Sequence, residues 1–436
     1  MKHFVAAFAI ATFAAGLGPA AAQLSPVEED IVARVEADAD EAMAFLEQVV
    51  NVNSGTMNHD GVKRVGEMFG ERFDGIGFET EWIDLREAVD RSGHLIARRE
   101  GEAGNRLLLI GHLDTVFPKD SDFQTFEIKG NRAAGPGVAD MKGGNVAVLF
   151  ALKALSEAGL LDEAGIEVVF TGDEEKSGKP ISISREALID AAKRADVALN
   201  FEGGERGAAV TGRRGSSSWV LTTTGNRRHS SGVFRDGVGA GAAFEMARIL
   251  NEFYEQLADE KFLTFNPGVV LAGTDVTYDR SLNRGASAGK TNVVTQKAVV
   301  HGDLRFLTET QKEEAREKMR KIVADSLPGT SAEIEFIDSY PAMTPSDANI
   351  ALLAVLSDVS EDLGGETLAP NDPGRRGAAD VSFAAPYAGA SLDGLGVYGR
   401  GAHGPNEEMQ IASLESATKR AAILIYRLTR PDAPSF

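Results

Sequence analysis

Histidine and carboxylate residues stand directly after three apolar segments that have the pattern of buried β-strands, residues 107–110, 166–170 and 196–201. They are His112 with Asp114, Glu174 with Glu175, and Glu202. In open α/β sheets, ligands bind at the carboxyl ends of the strands. Imidazole and carboxylate groups gathered at such an edge are the ligands that divalent metal ions take. The spacing therefore indicates a metal site that could polarise a carbonyl group and activate a water molecule.

Two further residues of the same kinds lie in glycine-rich segments. Asp140 precedes residues 146–155, which have the pattern of a buried helix, and His403 follows the strand-like residues 394–398. Each residue taken alone has a simpler interpretation: a hydrogen-bonded His–Asp pair, a helix N-cap aspartate, or solvated surface glutamates. Chance explains polar residues at successive strand ends poorly, so the metal site is the favoured interpretation.

The proposed ligands provide two imidazoles and three carboxylates. They are His112, Asp140, Glu175, Glu202 and His403. This set suits Zn²⁺, with Mn²⁺ or Co²⁺ as substitutes. A bridging carboxylate would let five residues hold two ions about 3.5–4 Å apart, as in two-metal hydrolases. A further carboxylate must take the proton of the attacking water and pass it to the leaving amine, and Glu174 is available for that role.

Composition limits the classes of partner and the chemistry. The chain has 436 residues, of which 43% are hydrophobic, which is enough for two cores or one large one. Its formal net charge of −20 argues against a nucleic-acid partner. Because the chain has no cysteine, it forms no disulfide bonds, and its metal ligands must be histidine, aspartate or glutamate.

The first 22 residues have the pattern of a secretory signal peptide. Lys2 is followed by an apolar run over residues 4–17 and by small residues up to Ala22. The run is too short for a membrane span, and no later segment has the length and apolar character of one. We therefore expect cleavage after Ala22 and a mature protein in the bacterial periplasm or outside the cell.

The elements that must position these residues fall into two predicted domains. Residues 23–211 and 329–436 have the alternating strand and helix pattern of an α/β domain. Between them, residues 212–328 predict a separate small α+β domain, with strands at 218–224 and 294–306. The chain thus predicts a catalytic domain interrupted by an insertion.

Five motifs, in order and spacing, resemble the dinuclear zinc aminoacylase/carboxypeptidase family, and within it the bacterial glutamate carboxypeptidases. The motifs are His112-Leu-Asp-Thr-Val, Gly135-Pro-Gly-Val-Ala-Asp-Met-Lys-Gly-Gly, Asp173-Glu-Glu-Lys, Phe201-Glu202 and Ala402-His403-Gly-Pro-Asn-Glu. The resemblance covers nearly the whole mature chain. It implies an α/β catalytic domain with a mixed, aminopeptidase/carboxypeptidase-like sheet, and an inserted α+β lid domain through which two chains form a homodimer.

The resemblance also implies roles for the ligands. Asp140 would bridge the two metal ions, His112 and Glu202 would complete one site, and Glu175 and His403 would complete the other. The peptide bond that follows the bridging aspartate is typically cis in this family.

Two residues beside the ligands also take their roles from the resemblance. Asp114 would support His112, and Glu174 would act as general base and then general acid.

Three lid residues correspond to family residues that face the substrate. His229 matches the histidine that reaches into the partner subunit's active site, although its neighbours Arg227 and Arg228 depart from the usual small residues. Asn292 and Arg305 match lid positions that contact the substrate.

The sharpest departure from the family is Tyr340. Glutamate-releasing relatives carry an arginine before the proline that is Pro341 here. Tyrosine cannot bind a carboxylate as a guanidinium does, so the sequence predicts that neutral or hydrophobic C-terminal residues are accepted. Arg375 and Arg376 are the alternative source of a carboxylate-binding group, unless they are simply solvated.

The sequence therefore predicts an exported zinc-dependent metallopeptidase that hydrolyses an amide bond next to an amino acid in a small peptide or N-acyl amino acid. An N-acyl amino acid deacylase or dipeptidase of the same family is the alternative. A catalytically silent periplasmic binding protein is the alternative that is not an enzyme, and the retention of all five ligands and Glu174 argues against it.

Overall fold

A computed structural model describes residues 24–436, so the predicted signal peptide lies outside the described residues. The α-helices are α1 (Pro26–Ala37), α2 (Ala39–Val50), α3 (His59–Gly75), α4 (Arg86–Val89), α5 (Lys142–Glu157), α6 (Ile181–Ser184), α7 (Glu186–Ala192), α8 (Ala242–Leu257), α9 (Glu309–Ala324), α10 (Asp347–Asp362), α11 (Val381–Ala384) and α12 (Ile411–Thr429). Among these residues, no helix combines the length and the apolar character of a membrane span.

Most strands of the two main sheets are longer than those of the small sheets. They are β1 (Glu79–Asp84), β2 (Gly93–Arg99), β3 (Ala103–His112), β4 (Glu127–Lys129), β5 (Arg132–Ala134), β6 (Ala164–Thr171), β7 (Val197–Asn200), β8 (Ala208–Ala209), β9 (Gly215–Gly225), β10 (Thr264–Gly273), β11 (Asp275–Asp279), β12 (Arg284–Ala288), β13 (Lys297–Phe306), β14 (Thr330–Asp338), β15 (Ala369–Pro370), β16 (Ala390–Leu392), β17 (Gly399–Arg400) and β18 (Glu408–Gln410).

The larger domain is built on a mixed sheet with the strand order β1-β2-β6-β3-β7-β16. β6, β3, β7 and β16 run parallel, while β2 runs antiparallel to both of its neighbours. Leu107 and Leu109 of β3 pack into the core that α5 and α12 cover. Leu108 and Ile110 point to the other face, which α7 and α11 cover. Helices on both faces explain why the strands are almost wholly apolar.

Helix α5 lies deep in this domain and brings the glycine-rich segment before it to the sheet edge. Nearly every side chain of α5 is buried, as expected of a helix that is apolar all round. A Cβ atom at Gly144 would lie 2.0 Å from the carbonyl oxygen of Phe201, at the end of β7. Only glycine permits this approach of the first turn of α5 to the end of β7.

The inserted domain has a four-stranded antiparallel sheet with the order β10-β13-β9-β14. Helices α8 and α9 bury Phe253 and Met319 against Trp219 and Leu221 of β9. This α+β arrangement confirms the predicted fold class. The predicted end of the insertion at residue 328 is wrong, because β14 pairs with β9 along its whole length and so extends the domain to Asp338.

One smaller prediction also differs from the structure. The predicted strand at 394–398 is replaced by β16 and β17 on either side of it. Strands β4 and β5 join β18 and β17 in a second small sheet. His59 is the first residue of α3, where Asn58 caps the helix through Gly61 N–H.

Candidate metal centre

The first group of ligands lies at the carboxyl ends of β3 and β7. Nε2 of His112 is 3.2 Å from Oδ1 of Asp140 and 3.6 Å from Oε1 of Glu202. Nδ1 of His112 is 2.9 Å from the carbonyl oxygen of Asp114. Because a carbonyl only accepts, Nδ1 carries the proton and Nε2 presents its lone pair to the two carboxylates.

The second group shares Asp140 with the first. Nε2 of His403 is 3.0 Å from Oδ2 of Asp140 and 3.2 Å from Oε2 of Glu175. One ligand atom from each member of either group lies within 4.8 Å of the others. The two oxygens of Asp140 thus face different histidines, which is the arrangement that a carboxylate bridging two ions requires.

The charges at this centre fit divalent cations. Burial and the neighbouring Asp140 raise the pKa of Glu202 well above its usual range. Hydrogen bonds to Asp140 and Glu175 raise the pKa of His403 to about 11. Carboxylates crowded into a buried site favour a cation between them, and the ligand set itself contains no lysine or arginine. The donor set, two imidazoles and three carboxylates, suits Zn²⁺.

The segment that carries Asp140 is fixed by a buried carboxylate. Glu407 accepts hydrogen bonds from the backbone N–H groups of Gly137 at 3.0 Å, Ala139 at 2.8 Å and Asp140 at 3.0 Å. The peptide bond between Asp140 and Met141 is cis, as predicted. Asp140 is not the N-cap of α5; Met141 is, without a side-chain cap, so the aspartate carboxylate is free to face the histidines.

Asp114 connects the His112 strand to the loop that carries the glutamates. Its carboxylate accepts hydrogen bonds from the backbone N–H groups of Glu174 at 3.0 Å and Glu175 at 3.2 Å. Thr56 donates to the same carboxylate at 2.6 Å. The carboxylate is 3.5 Å from Nδ1 of His112, so its contact with the imidazole is weaker than its contacts with the loop. Asp114 therefore positions Glu174 and Glu175 as well as His112.

Glu174 lies in a setting that suits proton transfer. Burial raises the pKa of its carboxyl to about 8, and the nearby Asp380 and Glu175 carboxylates act in the same direction. A base with a pKa near neutrality both takes and returns a proton efficiently. Its backbone carbonyl accepts a hydrogen bond from the hydroxyl of Tyr340 at 3.1 Å.

Tyr340 is held inside the catalytic domain. Arg185 donates to its hydroxyl at 2.9 Å, and the hydroxyl is 2.6 Å from Oγ of Ser177. Among the described residues that line the cavity beside the ligands, Tyr340 is not found. The hydroxyl of Tyr340 thus contacts the Glu174 loop, and the preference for neutral C-terminal residues remains a prediction.

An open cavity of about 680 Å³ adjoins the ligands. Its walls include Glu174, the ligands Asp140, Glu202 and His403, and four arginines. The arginines are Arg213, Arg375, Arg376 and Arg400. The cavity is large enough for a small peptide or an N-acyl amino acid.

The three predicted lid residues are not among the described residues that line this cavity. His229 and Asn292 are neighbours, since Ser230 N–H donates to the carbonyl oxygen of Asn292 at 2.9 Å. The imidazole of His229 is exposed and forms a hydrogen bond with the hydroxyl of Ser231 at 2.9 Å. Arg305 pairs with Asp303 on β13 at 2.9 Å. The roles of these residues at a substrate remain predictions.

Residues 108–427 match the sequence pattern of peptidase family M20/M25/M40. The chain belongs to this family. Carboxypeptidase G2 from Pseudomonas sp. (strain RS-16) is 25% identical over 434 residues, covering 98% of this chain and 99% of the relative. Succinyl-diaminopimelate desuccinylase from Alkalilimnicola ehrlichii is 27% identical over 367 residues, covering 81% of this chain and 90% of the relative.

Solved structures of the M20/M25/M40 family share the fold. Aminopeptidase PepT from Bacillus cereus superposes with a TM-score of 0.71 at 18% identity, covering 89% of this chain and 98% of that one. A dinuclear metal-binding M20 peptidase from Bacillus subtilis gives a TM-score of 0.63 at 13% identity, covering 90% of this chain and 99% of that one. The predicted family and the predicted enzyme class, a metallopeptidase-like hydrolase, are confirmed.

Sequence reasoning missed two residues that shape the centre. Glu407 is the last residue of the motif that contains His403, and it has no role among those predicted from the sequence. A glutamate at the end of a glycine-rich motif is a signal for an acceptor of backbone hydrogen bonds. Lys142 is fully buried, and its ammonium donates to the carbonyl oxygens of Val49 at 2.9 Å and Val52 at 3.0 Å. No sequence pattern predicts that contact, because its acceptors are backbone atoms at the end of α2.

Proposed function

We propose that this M20/M25/M40 family hydrolase is an exported two-metal enzyme that cleaves an amide bond next to an amino acid. The observation that carries the proposal is the sharing of Asp140 between the His112–Glu202 and Glu175–His403 groups. Two Zn²⁺ ions held by these residues would supply the Lewis acidity that polarises the scissile carbonyl and acidifies a water molecule. Mn²⁺ or Co²⁺ are substitutes of suitable ligand preference.

The chain's own residues divide the remaining work. Glu174 takes a proton from the attacking water and returns it to the nitrogen of the leaving amine, so that the amide becomes a carboxylic acid and an amine. Asp114 holds the backbone of Glu174 through the 3.0 Å hydrogen bond, which keeps the base beside the ligands. Tyr340 donates a hydrogen bond to the backbone carbonyl of the same residue.

Two substrate types fit this chemistry. The likeness to carboxypeptidase G2 supports a peptide-like substrate that releases a C-terminal amino acid. The likeness to desuccinylases supports an N-acyl amino acid as the alternative. Both reactions use the same base and the same pair of ions, and they differ only in the acyl group.

Two further parts of the proposal concern location and assembly. Export rests on the leader-like residues 1–22, and mass spectrometry of secreted protein should give Gln23 as the first residue. A homodimer through the lid domain would place His229 of one chain near the ligands of the other.

The decisive experiment is a hydrolysis screen on the Zn²⁺-loaded protein with dipeptides and N-acyl amino acids. Glu174→Gln should reduce turnover by roughly 10²–10⁴-fold while both ions stay bound. Glu163→Gln makes the same change on the surface and should retain full activity. A Glu174→Gln enzyme that keeps turnover within a few-fold of wild type would exclude Glu174 as the base. Loss of bound metal in this variant would instead make Glu174 a metal ligand and Glu175 the base.

A further inference from the structure

Two adjacent arginines share a cavity wall with the metal ligands. Arg375 and Arg376 lie in the segment between β15 and α11, and both line the same cavity as Glu202 and His403. They stand on the catalytic domain, so their position does not depend on the lid or on a second chain.

Neither guanidinium has a hydrogen-bond acceptor within residues 24–436. The nearest carboxylate to Arg376 is Glu205, at 3.6 Å, which is beyond hydrogen-bond distance. Oε2 of Glu205 already accepts a hydrogen bond from Nδ2 of Asn371 at 2.8 Å. Arg375 forms no ion pair in the described part of the chain, and it is exposed at the cavity rim. The donors of both side chains are therefore available to a ligand.

The other two arginines of the cavity are already neutralised. Arg213 is buried and forms an ion pair with Asp393. Arg400 is paired with Glu408 at 2.6 Å. Of the four guanidinium groups in the cavity wall, only those of Arg375 and Arg376 have no carboxylate within hydrogen-bond distance among the described residues.

The segment that carries the pair is held in place. Arg213 donates to the carbonyl oxygen of Gly377 at 2.9 Å. Asp372 accepts hydrogen bonds from Gly374 N–H at 2.9 Å and, through its carbonyl, from Arg375 N–H at 3.0 Å. A fixed backbone lowers the entropy that the arginines lose when they bind an anion.

The electrostatic setting of Arg376 favours an anionic partner. Burial and the neighbouring Arg213 lower the pKa of its guanidinium, so an anion bound beside Arg376 would stabilise the charged form. Of the carboxylates in the cavity wall, Asp140 and Glu202 are proposed metal ligands. Divalent ions would match the charges of these two ligands, which leaves Glu174 and Glu205 as the other carboxylates beside the arginine pair.

We propose that Arg375 and Arg376 bind a carboxylate of the substrate, so that the enzyme selects acidic amides over neutral ones. The proposal rests on the proposed hydrolase function. It takes the alternative that assigns carboxylate binding to Arg375 and Arg376, and its expected preference is opposite to the one predicted from Tyr340. A planar guanidinium matches a carboxylate with two parallel hydrogen bonds. The carboxylate can belong to the acyl group, to the side chain of the released amino acid or to its main chain, and these sources are separated by experiment.

The experiment compares three pairs of substrates in which one carboxylate is replaced by a carboxamide. They are N-succinyl-leucine with its succinamide analogue, N-benzoyl-glutamate with N-benzoyl-glutamine, and N-benzoyl-leucine with N-benzoyl-leucinamide. The Zn²⁺-loaded wild-type enzyme should prefer the acid in one pair by at least about tenfold in kcat/KM, mainly through KM. The pair that shows the preference identifies the position of the carboxylate.

The double variant Arg375→Gln/Arg376→Gln should reduce that preference to about twofold or less, by weakening the acid and leaving the amide unchanged. Arg375→Gln alone changes an exposed side chain that forms no hydrogen bond within the described residues, so this variant should fold. It should reduce the preference for the acid by part of the amount seen in the double variant. Arg206→Gln makes the same charge change outside the cavity and should leave the preference intact. Acid-to-amide ratios that are equal in wild type and the double variant for all three pairs would overturn the proposal.

A binding measurement separates this proposal from the proposed function. Titration calorimetry on Glu174→Gln, with and without the two arginine substitutions, measures the affinity for N-succinyl-leucine and N-benzoyl-glutamate without turnover. If no substrate is hydrolysed but acid binding weakens about tenfold or more on loss of the arginines, the carboxylate site stands and the hydrolase function fails. If acid binding is unchanged by the substitutions, the carboxylate site fails.

Discussion

The backbone N–H of Asp140 donates a hydrogen bond of 3.0 Å to the carboxylate of Glu407, which lies 267 residues later in the chain. The same oxygen of Glu407 accepts the N–H of Ala139 at 2.8 Å. A buried carboxylate thereby determines the course of the segment from which the shared ligand projects. Backbone support of this kind sets the position of a ligand as firmly as a contact with the ligand itself.

Glu407→Gln should weaken metal binding by roughly 10–100-fold, because the amide NH₂ would face the N–H of Gly137, a second donor. Competition with a chelator of known affinity measures the change. Glu366→Gln makes the same change at an exposed side chain, whose pair with Arg206 lies at 4.0 Å, and should alter the affinity by no more than about twofold. Equal metal affinity in Glu407→Gln and wild type would show that this carboxylate does not position the ligand segment.

Asp140→Asn should reduce the metal content from two ions per chain to one or none. An amide oxygen can serve one ion, but it lacks the second anionic oxygen that faces the other histidine. Elemental analysis after dialysis gives the ratio. A wild-type chain that holds a single ion, unchanged in Asp140→Asn, would contradict the shared-ligand arrangement.

Glu245→Gln should destabilise the lid domain by about 1–3 kcal/mol at neutral pH, because the fully buried carboxylate accepts hydrogen bonds from Arg248 at 2.6 Å and Leu327 N–H at 2.9 Å. Burial alone would raise the pKa of Glu245, but the hydrogen bonds from Arg248 and Leu327 lower it below its usual value of 4.5. Its contribution is therefore complete above that value and is lost as the pH falls through the lowered pKa of the folded state.

Urea unfolding followed by the fluorescence of the lid residue Trp219, in a Trp82→Phe background, measures this difference between pH 7 and pH 3. The free-energy difference between wild type and Glu245→Gln should shrink toward acidic pH. Glu255→Gln, on an exposed face of the same helix, should stay within about 0.5 kcal/mol of wild type. A difference that does not change with pH would assign the effect to packing instead of charge.

His229→Ala should lower turnover by about 10²–10³-fold if the imidazole donates to the oxyanion of the reacting carbonyl in the partner's site. Mixed dimers of His229→Ala and Glu174→Gln then test the arrangement. If the histidine acts across the dimer, one site carries both changes and the other carries neither, so activity returns to about half of wild type. Mixing that restores nothing would place His229 in its own chain's site, and a wild-type rate for His229→Ala alone would remove it from catalysis.

The sequence predicted that the ligands lie close together, because most of them follow the ends of strands. His112 ends β3, Glu202 follows β7 by two residues, and Glu174 and Glu175 follow β6 in one short loop. Parallel strands place their carboxyl ends at one edge, so strand order hardly affects the result. Asp140 and His403 lie in loops, and only their glycine-rich context and the family resemblance marked them.

The features that sequence reasoning missed depend on contacts between distant segments. In β14, more buried and more exposed residues alternate as in any half-exposed strand. Only its pairing with β9 assigns it to the lid domain. β4 and β5 are three residues each and have no distinct period. Tyr340 was judged by comparison with an arginine elsewhere in the family, whereas its contacts with Arg185 and Glu174 arise from the packing of the Glu174 loop.

The insertion of the lid between β7 and β16 has a consequence for the biogenesis of the protein. His112, Asp140 and Glu202 are all synthesised before the lid, so a nascent chain already carries one complete set of ligands. His403 emerges only after the lid, together with β16, which completes the central sheet beside β7. The first part of the catalytic domain therefore depends on residues that follow the lid for both the last strand of its sheet and a ligand. A chain truncated before His403 would keep the His112–Asp140–Glu202 group and lose a member of the Asp140–Glu175–His403 group.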